Sequence, residues 1–178
     1  MRKRALVTGC NGQNGSYLID LLLEKDVEVY GLIRRSSHTS TDRLTHCLDR
    51  IRLIPGDLTD QGSLIRAMRL SKPEEIYNLA SQSYVGYSFE APLHTADVTG
   101  LGALRVFEAA RLTCSHARIY QASSSEQFGN PSNGPQDEQT PFNPISPYGC
   151  AKTFAHHCAT LYRQGYKMYL SCGIAFNH

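Results

Sequence analysis

Short apolar runs alternate along the chain with segments in which apolar residues recur every three or four positions. The second pattern is clearest near the N-terminus, where Leu18 and Leu22, and likewise Ile19 and Leu23, are four residues apart. The short runs predict strands at residues 4–8, 27–33, 51–54, 75–79, 117–122 and 167–176. The periodic segments predict helices at residues 13–24, 41–48, 60–70, 95–112 and 147–163.

The order of these elements predicts an α/β fold. Strands and helices that alternate along a chain form right-handed βαβ units, and these units build a doubly wound parallel sheet. The 178 residues are enough for one well-buried domain, which we expect to span residues 1–178. Residues 81–94 and 129–146 each follow a strand and break the alternation. We therefore expect both irregular segments at the carboxyl edge of the sheet, where this architecture binds ligands.

The composition fits a soluble globular protein and excludes several classes of partner. Apolar residues make up 41% of the chain, and the net charge of +2 is too small to favour nucleic acid or a membrane surface as a partner. No apolar run approaches the roughly 18 residues of a membrane span, and the N-terminus does not fit a signal peptide. The six cysteines form no CxxC pair and the seven histidines show no metal-ligand spacing. We expect a cytoplasmic protein with reduced thiols and no metal.

A glycine-rich turn follows the first predicted strand. Gly9, Gly12 and Gly15 stand between that strand and the first helix. In this context the first glycine permits a sharp turn, the second lets the backbone approach a pyrophosphate, and the third lets helix and strand pack closely. The helix then directs free N–H groups and its positive dipole end at the phosphates. The spacing GxxGxxG is a weak signal by itself, and a glycine turn without a ligand is the alternative.

Basic residues follow the second strand, at the position that selects the cofactor. A carboxylate there holds the ribose hydroxyls of NAD, whereas this chain has Arg34 and Arg35 followed by two serines. Guanidinium and hydroxyl groups favour a 2′-phosphate, and hence NADP, although a solvated basic pair is the alternative. After the third strand, Asp57 and Leu58 are candidates to hold the adenine, and Asp57 is equally a candidate cap for the next helix.

Tyr148 and Lys152 are four residues apart and so lie on one face of the last helix. An ammonium group beside a phenol stabilises the phenolate and so lowers the pKa of the phenol. Such a tyrosine removes a proton from a hydroxyl group as hydride leaves for a nicotinamide cofactor. Ser124 and Glu126, at the end of the fifth strand, add a hydroxyl for the same substrate oxygen and a carboxylate for an acidic C–H. The alternatives are a solvated helix face, local turn chemistry for the serine and a surface carboxylate.

These motifs, together with longer strings, resemble the extended short-chain dehydrogenase/reductases and, within them, the GDP-mannose 4,6-dehydratases. The resemblance implies an NADP-dependent, redox-neutral conversion of GDP-mannose to GDP-4-keto-6-deoxymannose. Tyr148, with Lys152 and Ser124, would oxidise carbon 4 of the mannose, and Glu126 would remove the proton on carbon 5. The hydroxyl on carbon 6 would leave as water, and hydride would return to carbon 6. The strings that carry the resemblance are residues 12–18, 34–37, 76–83, 95–98, 120–126, 146–149 and 176–178.

The resemblance also implies which residues bind the cofactor and the substrate. The cofactor-binding positions are Gly9, Cys10, Asn11, Gly12, Gln13, Asn14, Gly15, Arg34, Arg35, Ser36, Ser37, Asp57, Leu58, Leu79, Ala80, Ser81, Gln82, Ser83, Lys152 and His178. The substrate-binding positions are Ser83, Ser124 and Asn177, and the catalytic positions are Ser124, Glu126, Tyr148 and Lys152. The family's subunit contacts near the arginine-serine segment imply a homodimer or homotetramer.

The chain departs from the family's pattern at four positions. Asn14 replaces an aspartate and Ser124 a threonine, whereas Ile145 replaces an arginine and His94 a tyrosine. The family continues with a C-terminal substrate domain, which we expect to be largely missing from this chain. Three alternatives stay open: another nucleotide-sugar dehydratase or 4-epimerase, a non-catalytic NADP-binding module, and a structural or interaction protein. Glu126 argues against an epimerase, which needs no carboxylate at this position.

Overall fold

The computed structural model describes residues 2–34, 40–130 and 134–177. Its centre is a six-stranded sheet in which every strand pair is parallel. The strand order is β3-β2-β1-β4-β5-β6, so the predicted doubly wound parallel sheet is confirmed. The strands are β1 (Arg4–Thr8), β2 (Glu28–Ile33), β3 (Arg52–Pro55), β4 (Glu75–Asn78), β5 (Arg118–Ser124) and β6 (Leu170–Ala175).

Helices cover both faces of this sheet. The α-helices are α1 (Gln13–Glu24), α2 (Gln61–Ser71), α3 (Val85–Glu90), α4 (Pro92–Thr95), α5 (Gly102–Thr113) and α6 (Pro147–Gly165). Asp42–Cys47 and Ser125–Gln127 are 3₁₀ turns, and Ala96–Leu101 is a π-helical segment. Within the described part of the chain, no helix combines the length and the apolar character needed to cross a membrane.

Three elements differ from the sequence-based expectation. The irregular segment at residues 81–94 contains α3 and part of α4, which are too short to show a helical repeat. The helix expected at residues 95–112 begins with the π-helical segment, because backbone geometry of this kind leaves no mark on apolar spacing. The helix expected at residues 41–48 is a 3₁₀ turn.

Each face of the sheet has its own apolar core. Leu6 of β1 faces a cluster that α2, α5 and α6 cover, with Phe107 fully buried at its centre. Ala5 and Val7 face the other cluster, which α1 covers through Ile19. Side chains alternate between the faces along a strand, so β1 is buried on both sides and reads as a continuous apolar run.

The strand order places a crevice at one edge of the sheet. The chain leaves β1 toward β2 on one side, and it returns to β4 on the other side of β1. Connections that diverge in this way leave an opening beyond the carboxyl ends of the two strands, which is where ligands bind in this architecture. Thr8 ends β1 and Asn78 ends β4, so the segments that follow them form the walls of this crevice.

Candidate active site

The glycine turn between β1 and α1 is built by close backbone approaches. Gly9 has a φ of +66°, and a Cβ on it would lie 2.9 Å from the backbone nitrogen of Ala80. The backbone N–H of Gly12 donates to the carbonyl of Gly9 at 3.0 Å and closes the turn. Gly12 is also the N-cap of α1, and it provides no side-chain cap. A helix N-terminus whose N-cap residue provides no capping side chain is the kind of place where anionic ligands bind.

A cavity of about 750 Å³ opens in front of this helix end. Thirteen of the predicted cofactor positions line it: Gly9, Asn11, Gly12, Gln13, Asn14, Gly15, Arg34, Asp57, Leu58, Leu79, Ala80, Ser81 and Ser83. The cavity is also lined by His94, one of the departures from the family's pattern, and by residues that sequence reasoning did not assign to the cofactor, namely Leu32, Ser40, Gly56, Thr59, Asp97, Val98 and Ala122. These residues belong to or follow different strands, or lie in α4 and the π-helical segment, so only the strand order reveals that they are neighbours.

Some predicted cofactor positions lie elsewhere. The side chain of Cys10 is fully buried in the core under α1, and its thiol donates to the carbonyl of Leu32 at 3.3 Å. Gln82 does not line the cavity. Its backbone N–H donates to Thr99 Oγ1 at 3.1 Å, and Thr95 Oγ1 donates to its side-chain oxygen at 3.3 Å. Arg35, Ser36, Ser37 and His178 lie outside the described residues.

The far wall of the cavity is held by one arginine. Arg105 contacts the carboxylate of Asp97 at 2.7 Å and donates to the carbonyl of Leu58 at 3.3 Å. The two contacts join the loop after β3 to the π-helical segment. Asp57 accepts hydrogen bonds from the backbone and hydroxyl of Thr59, whereas the side chain of Asp60 caps α2. Asp60, and not Asp57, is therefore the cap of α2.

The four predicted catalytic residues come together where β5 ends and α6 begins. Ser124 is the last residue of β5 and its hydroxyl accepts the backbone N–H of Glu126 at 3.2 Å. A Cβ on Gly149 would lie 2.6 Å from the carbonyl oxygen of Glu126, so only glycine lets α6 approach this closely. Tyr148 and Lys152 are both buried, and the Lys152 ammonium lies 5.6 Å from the centre of the Tyr148 ring.

The pKa of the Tyr148 phenol is raised in this structure, which is opposite to the expected direction. Burial is the largest cause and the nearby Glu126 carboxylate adds to it, whereas a hydrogen bond from Ser124 lowers the pKa. Burial also lowers the pKa of Lys152 to about 8. The Lys152 ammonium donates to the carbonyl oxygen of Ala122 at 2.9 Å. Burial therefore sets the direction of the pKa shift for both Tyr148 and Lys152.

The low pKa of Lys152 predicts that replacing it stabilises the protein. At pH 7 both the folded and the unfolded chain carry the charged lysine, and the folded chain bears the full cost of burying that charge. A fall from the usual 10.5 to about 8 corresponds to about 3.5 kcal/mol at about 1.4 kcal/mol per pKa unit, of which the bond to Ala122 returns about 1 kcal/mol. We expect Lys152→Met to raise the free energy of unfolding at pH 7 by about 2.5 kcal/mol.

The sign of this effect depends on pH in a defined way. As pH rises from 8 to 10.5, folded wild-type protein loses the proton before the unfolded chain does, so wild-type stability rises and the advantage of Lys152→Met shrinks. Urea unfolding at pH 7 and pH 9.5 measures both values. Lys25→Met, at an exposed lysine, is the matched control and should change stability little. A variant less stable than wild type at pH 7 would show that the ammonium is held more strongly than its burial suggests.

A second buried group holds the turn that carries Glu126. The hydroxyl of Ser123 donates to the side-chain oxygen of Gln127 at 2.7 Å, and it lies 3.0 Å from Nδ1 of His156. Because the single hydroxyl proton is given to Gln127, His156 must donate from Nδ1. Burial lowers the pKa of His156, which favours the neutral ring. These three residues fasten the turn to α6, and no spacing along the sequence reveals them.

The predicted substrate positions lie on two sides of the site. Ser83 is exposed and lines the cavity, and Ser124 lies beside Tyr148. Asn177 is exposed and follows β6. The departures at Asn14 and His94 line the cavity, whereas the side chain of Ile145 is exposed just before α6. Ser83 and Ser124 thus both lie at the carboxyl edge of the sheet.

One group of possible metal ligands lies outside this site. Within the described ranges, Asp20, His46 and Cys47 place a carboxylate oxygen, a ring nitrogen and a thiol within 4.8 Å of one another. His46 and Asp20 are 2.7 Å apart, and the buried Cys47 thiol donates to the carbonyl of Leu44 at 3.3 Å. These contacts account for the three groups, and we assign no metal to them.

Comparison with known proteins agrees with the geometry. The chain resembles solved structures of UDP-glucose 4-epimerase from Brucella ovis in complex with NAD and of dTDP-glucose 4,6-dehydratase from Streptomyces venezuelae with NAD bound. Each has a TM-score of 0.85 and 27% identity to this chain. The match to the epimerase covers 98% of this chain and 51% of that one, and the match to the dehydratase covers 99% and 55%. The predicted Rossmann-type architecture is confirmed.

Comparison of sequences points to a narrower family than the comparison of structures does. The chain is 47% identical to GDP-mannose 4,6 dehydratase of Drosophila melanogaster, over 99% of this chain and 47% of that protein. It is 46% identical to GDP-mannose 4,6-dehydratase of Vibrio cholerae, over 100% of this chain and 50% of that protein. The chain therefore spans about half the length of these relatives. A profile described as GDP-mannose 4,6 dehydratase matches residues 6–178, and the chain belongs to this family.

Proposed function

We propose that this chain supplies the cofactor-binding and catalytic residues for NADP-dependent 4,6-dehydration of GDP-mannose. One observation carries the proposal: Glu126 stands beside Ser124, Tyr148 and Lys152, next to a cavity that opens at a helix N-terminus. The relatives named as GDP-mannose 4,6-dehydratases support the choice of substrate. Another nucleotide-sugar dehydratase or epimerase, and a non-catalytic NADP-binding module, are the alternatives.

We propose that the dinucleotide lies along this cavity. The pyrophosphate would lie at the start of α1, against the N–H groups of the first helical turn. The adenosine would lie against Leu58 and Val98, with the ribose toward Arg34. The Asn11 side-chain amide donates to the carbonyl of Ser40 at 3.0 Å. This hydrogen bond connects the glycine turn to the chain that follows the arginine-serine segment, on the ribose side of the cavity. The nicotinamide end would lie near Ala122 and Lys152.

Two residues would manage the proton on the hydroxyl of carbon 4. Bound in this cavity, NADP⁺ would supply the hydride acceptor for that carbon and the hydride donor for carbon 6. Tyr148 takes the hydroxyl proton. Ser124 orients the Tyr148 phenol oxygen and the hydroxyl on carbon 4, and its hydrogen bond to the phenol lowers the pKa of that phenol. Because burial raises that pKa, the nearby ammonium of Lys152 is needed to favour the phenolate.

Glu126 would supply the step that separates a dehydratase from an epimerase. The ketone at carbon 4 acidifies the C–H at carbon 5, and the Glu126 carboxylate accepts that proton. The same proton then goes to the hydroxyl of carbon 6, which leaves as water, while the electron pair of the broken C–H bond forms the double bond between carbons 5 and 6. Once hydride has returned to carbon 6, carbon 5 would take a proton from the solvent. Glu126 is half-buried, and its backbone is held through Ser124 and Gln127, so the carboxylate is presented from a fixed turn.

We also propose an assembly and a compartment for the protein. The family resemblance favours a homodimer or homotetramer. The six cysteines are all unpaired, which supports the reducing environment of the cytoplasm. We propose further that residues 1–178 act as one NADP-binding domain.

Selectivity for NADP⁺ over NAD⁺ tests the cofactor assignment. We expect this chain to bind NADP⁺ at least tenfold more tightly than NAD⁺ in calorimetry. The double variant Arg34→Ala, Arg35→Ala should lose most of that preference, because guanidinium groups recognise a phosphate through charge-assisted hydrogen bonds. The pair Arg43→Ala, Arg50→Ala removes the same charge from exposed positions outside the cavity and should keep the preference. Equal affinity for both dinucleotides would contradict the NADP assignment.

A further inference from the structure

A row of buried polar side chains runs beneath the cavity, from β1 across β4 and β5 to α6. The Thr8 hydroxyl donates to the side-chain oxygen of Asn78 at 2.7 Å, and the Asn78 amide donates to that of Gln121 at 2.7 Å. The Gln121 amide donates to the carbonyl oxygen of Ala122 at 2.9 Å. The same oxygen accepts the Lys152 ammonium at 2.9 Å. The row therefore connects the floor of the glycine turn to the proposed catalytic lysine.

The Thr8 hydroxyl sets the direction of every hydrogen bond in this row. Thr8 has a single hydroxyl proton and gives it to Asn78, so its oxygen is free to accept the backbone N–H of Ala80 at 3.1 Å. An amide that accepts at its oxygen donates from its nitrogen. Asn78 therefore donates to the side-chain oxygen of Gln121, and the Gln121 amide in turn donates to the Ala122 carbonyl. The Ala122 carbonyl then uses its two lone pairs for Gln121 and Lys152.

Burial makes the row sensitive to the loss of any member. Thr8, Asn78, Gln121 and Lys152 are between 0% and 4% exposed, so solvent is not at hand to replace a missing partner. Apolar side chains would fill the same space in a sheet without the desolvation that a polar row requires. Both ends of the row lie at the proposed cofactor site, at Ala80 on one side and Lys152 on the other.

We infer that Asn78 and Gln121 are positioning residues for Lys152: they fix the Ala122 carbonyl, and that carbonyl fixes the ammonium beside Tyr148. The role of Lys152 in the reaction rests on the proposed function, whereas the geometry of the row does not. Without the Gln121 donor the carbonyl loses one of its two partners. The buried ammonium then loses a fixed acceptor and spends more time away from Tyr148.

Competitive acylation of lysines tests this inference without a cofactor. The chain is treated with a trace of acetic anhydride across a range of pH, and mass spectrometry gives the rate and the pKa of Lys152 relative to exposed Lys25. Gln121→Met keeps the side-chain volume but removes the donor. We expect Lys152 to react about fivefold faster in this variant, the factor that one net hydrogen bond supplies.

Two further variants make the result decisive. Ser71→Ala removes another fully buried hydroxyl, whose bond to the Ala67 carbonyl lies in α2 away from the site, and it should leave the labelling of Lys152 unchanged. Gln121→Glu still accepts from Asn78 but cannot donate to Ala122, and its negative charge should raise the pKa of Lys152. This variant decides the question if Gln121→Met does not fold.

The inference is overturned if Gln121→Met loses stability while Lys152 keeps its wild-type labelling rate, or if the pKa of Lys152 does not move in Gln121→Glu. Either result would make the row a structural feature of the sheet only. Failure of the proposed function has a different signature. In that case wild-type protein would not bind NADP⁺ by calorimetry, whatever the labelling of Lys152 shows.

Discussion

Replacing Gly15 with alanine is expected to lower the free energy of unfolding by about 4 kcal/mol and to abolish binding of NADP⁺. A Cβ at this position would overlap the carbonyl oxygen of Gly9 and lie 2.9 Å from the Cα of Cys10. Both neighbours are backbone atoms, so no side-chain rotation relieves the clash. Overpacking at such a site costs up to about 3 kcal/mol, and opening the turn breaks the bond between Gly12 and Gly9 at about 1 kcal/mol more.

Gly165→Ala is the matched control for this change. Gly165 also lies in an α-helix, but a Cβ there would meet nothing within 4 Å. Alanine is the better helix former, so this variant should gain roughly 0.5–1 kcal/mol. Urea unfolding measures both stabilities, and calorimetry with NADP⁺ measures binding. If Gly15→Ala folds and binds like wild type, the turn is looser than the close packing of Gly9 and Gly15 indicates.

The elements that the sequence predicts best are those in which one physical signal dominates. The bounds of β1 and α1 agree with the expectation, because an apolar run ends at a glycine turn and a long apolar repeat follows it. The helices α3 and α4 are held by contacts with α6, and they have too few residues for a repeat. Length therefore decides whether a helix can be found from its pattern.

Some residues of the candidate site can likewise be found from the sequence, whereas others cannot. Tyr148 and Lys152 are recognisable because four residues of helix bring them together. Asn78 and Gln121 lie on β4 and β5, and they meet only because these strands are neighbours in the sheet. No local spacing marks such a pair, although a polar side chain within an otherwise apolar strand is a signal that deserves inspection in any buried sheet.

The pKa values show a further limit of sequence reasoning. A spacing of four residues on a helix reveals that the Lys152 ammonium lies near the Tyr148 phenol, and this predicts a lowered pKa for Tyr148. The spacing does not reveal burial, which depends on the packing of α6 against β5 and raises the pKa instead. The direction of a shift follows from the balance of the two effects, and only the folded structure gives that balance.

Replacing Glu126 with glutamine is expected to slow formation of the 4-keto-6-deoxy sugar at least a hundredfold, the range of a positioned acid–base group. Glutamine keeps the shape of the side chain and the backbone bond to Ser124, but it cannot accept a proton. Hydride transfer from carbon 4 needs Tyr148 and not Glu126, so NADPH should still form. The assay uses the chain completed with the C-terminal half of the Vibrio cholerae relative, because this chain spans half of that protein.

Exchange of the carbon 5 proton in D₂O separates the possible roles of the carboxylate. Wild-type protein should incorporate deuterium at carbon 5, Glu126→Gln should form NADPH without incorporation, and Tyr148→Phe should do neither. Incorporation at the wild-type rate in Glu126→Gln would show that another group removes the proton. Loss of NADPH formation in the same variant would instead place Glu126 in substrate binding. In either case the dehydratase assignment would lose the residue that distinguishes it from an epimerase.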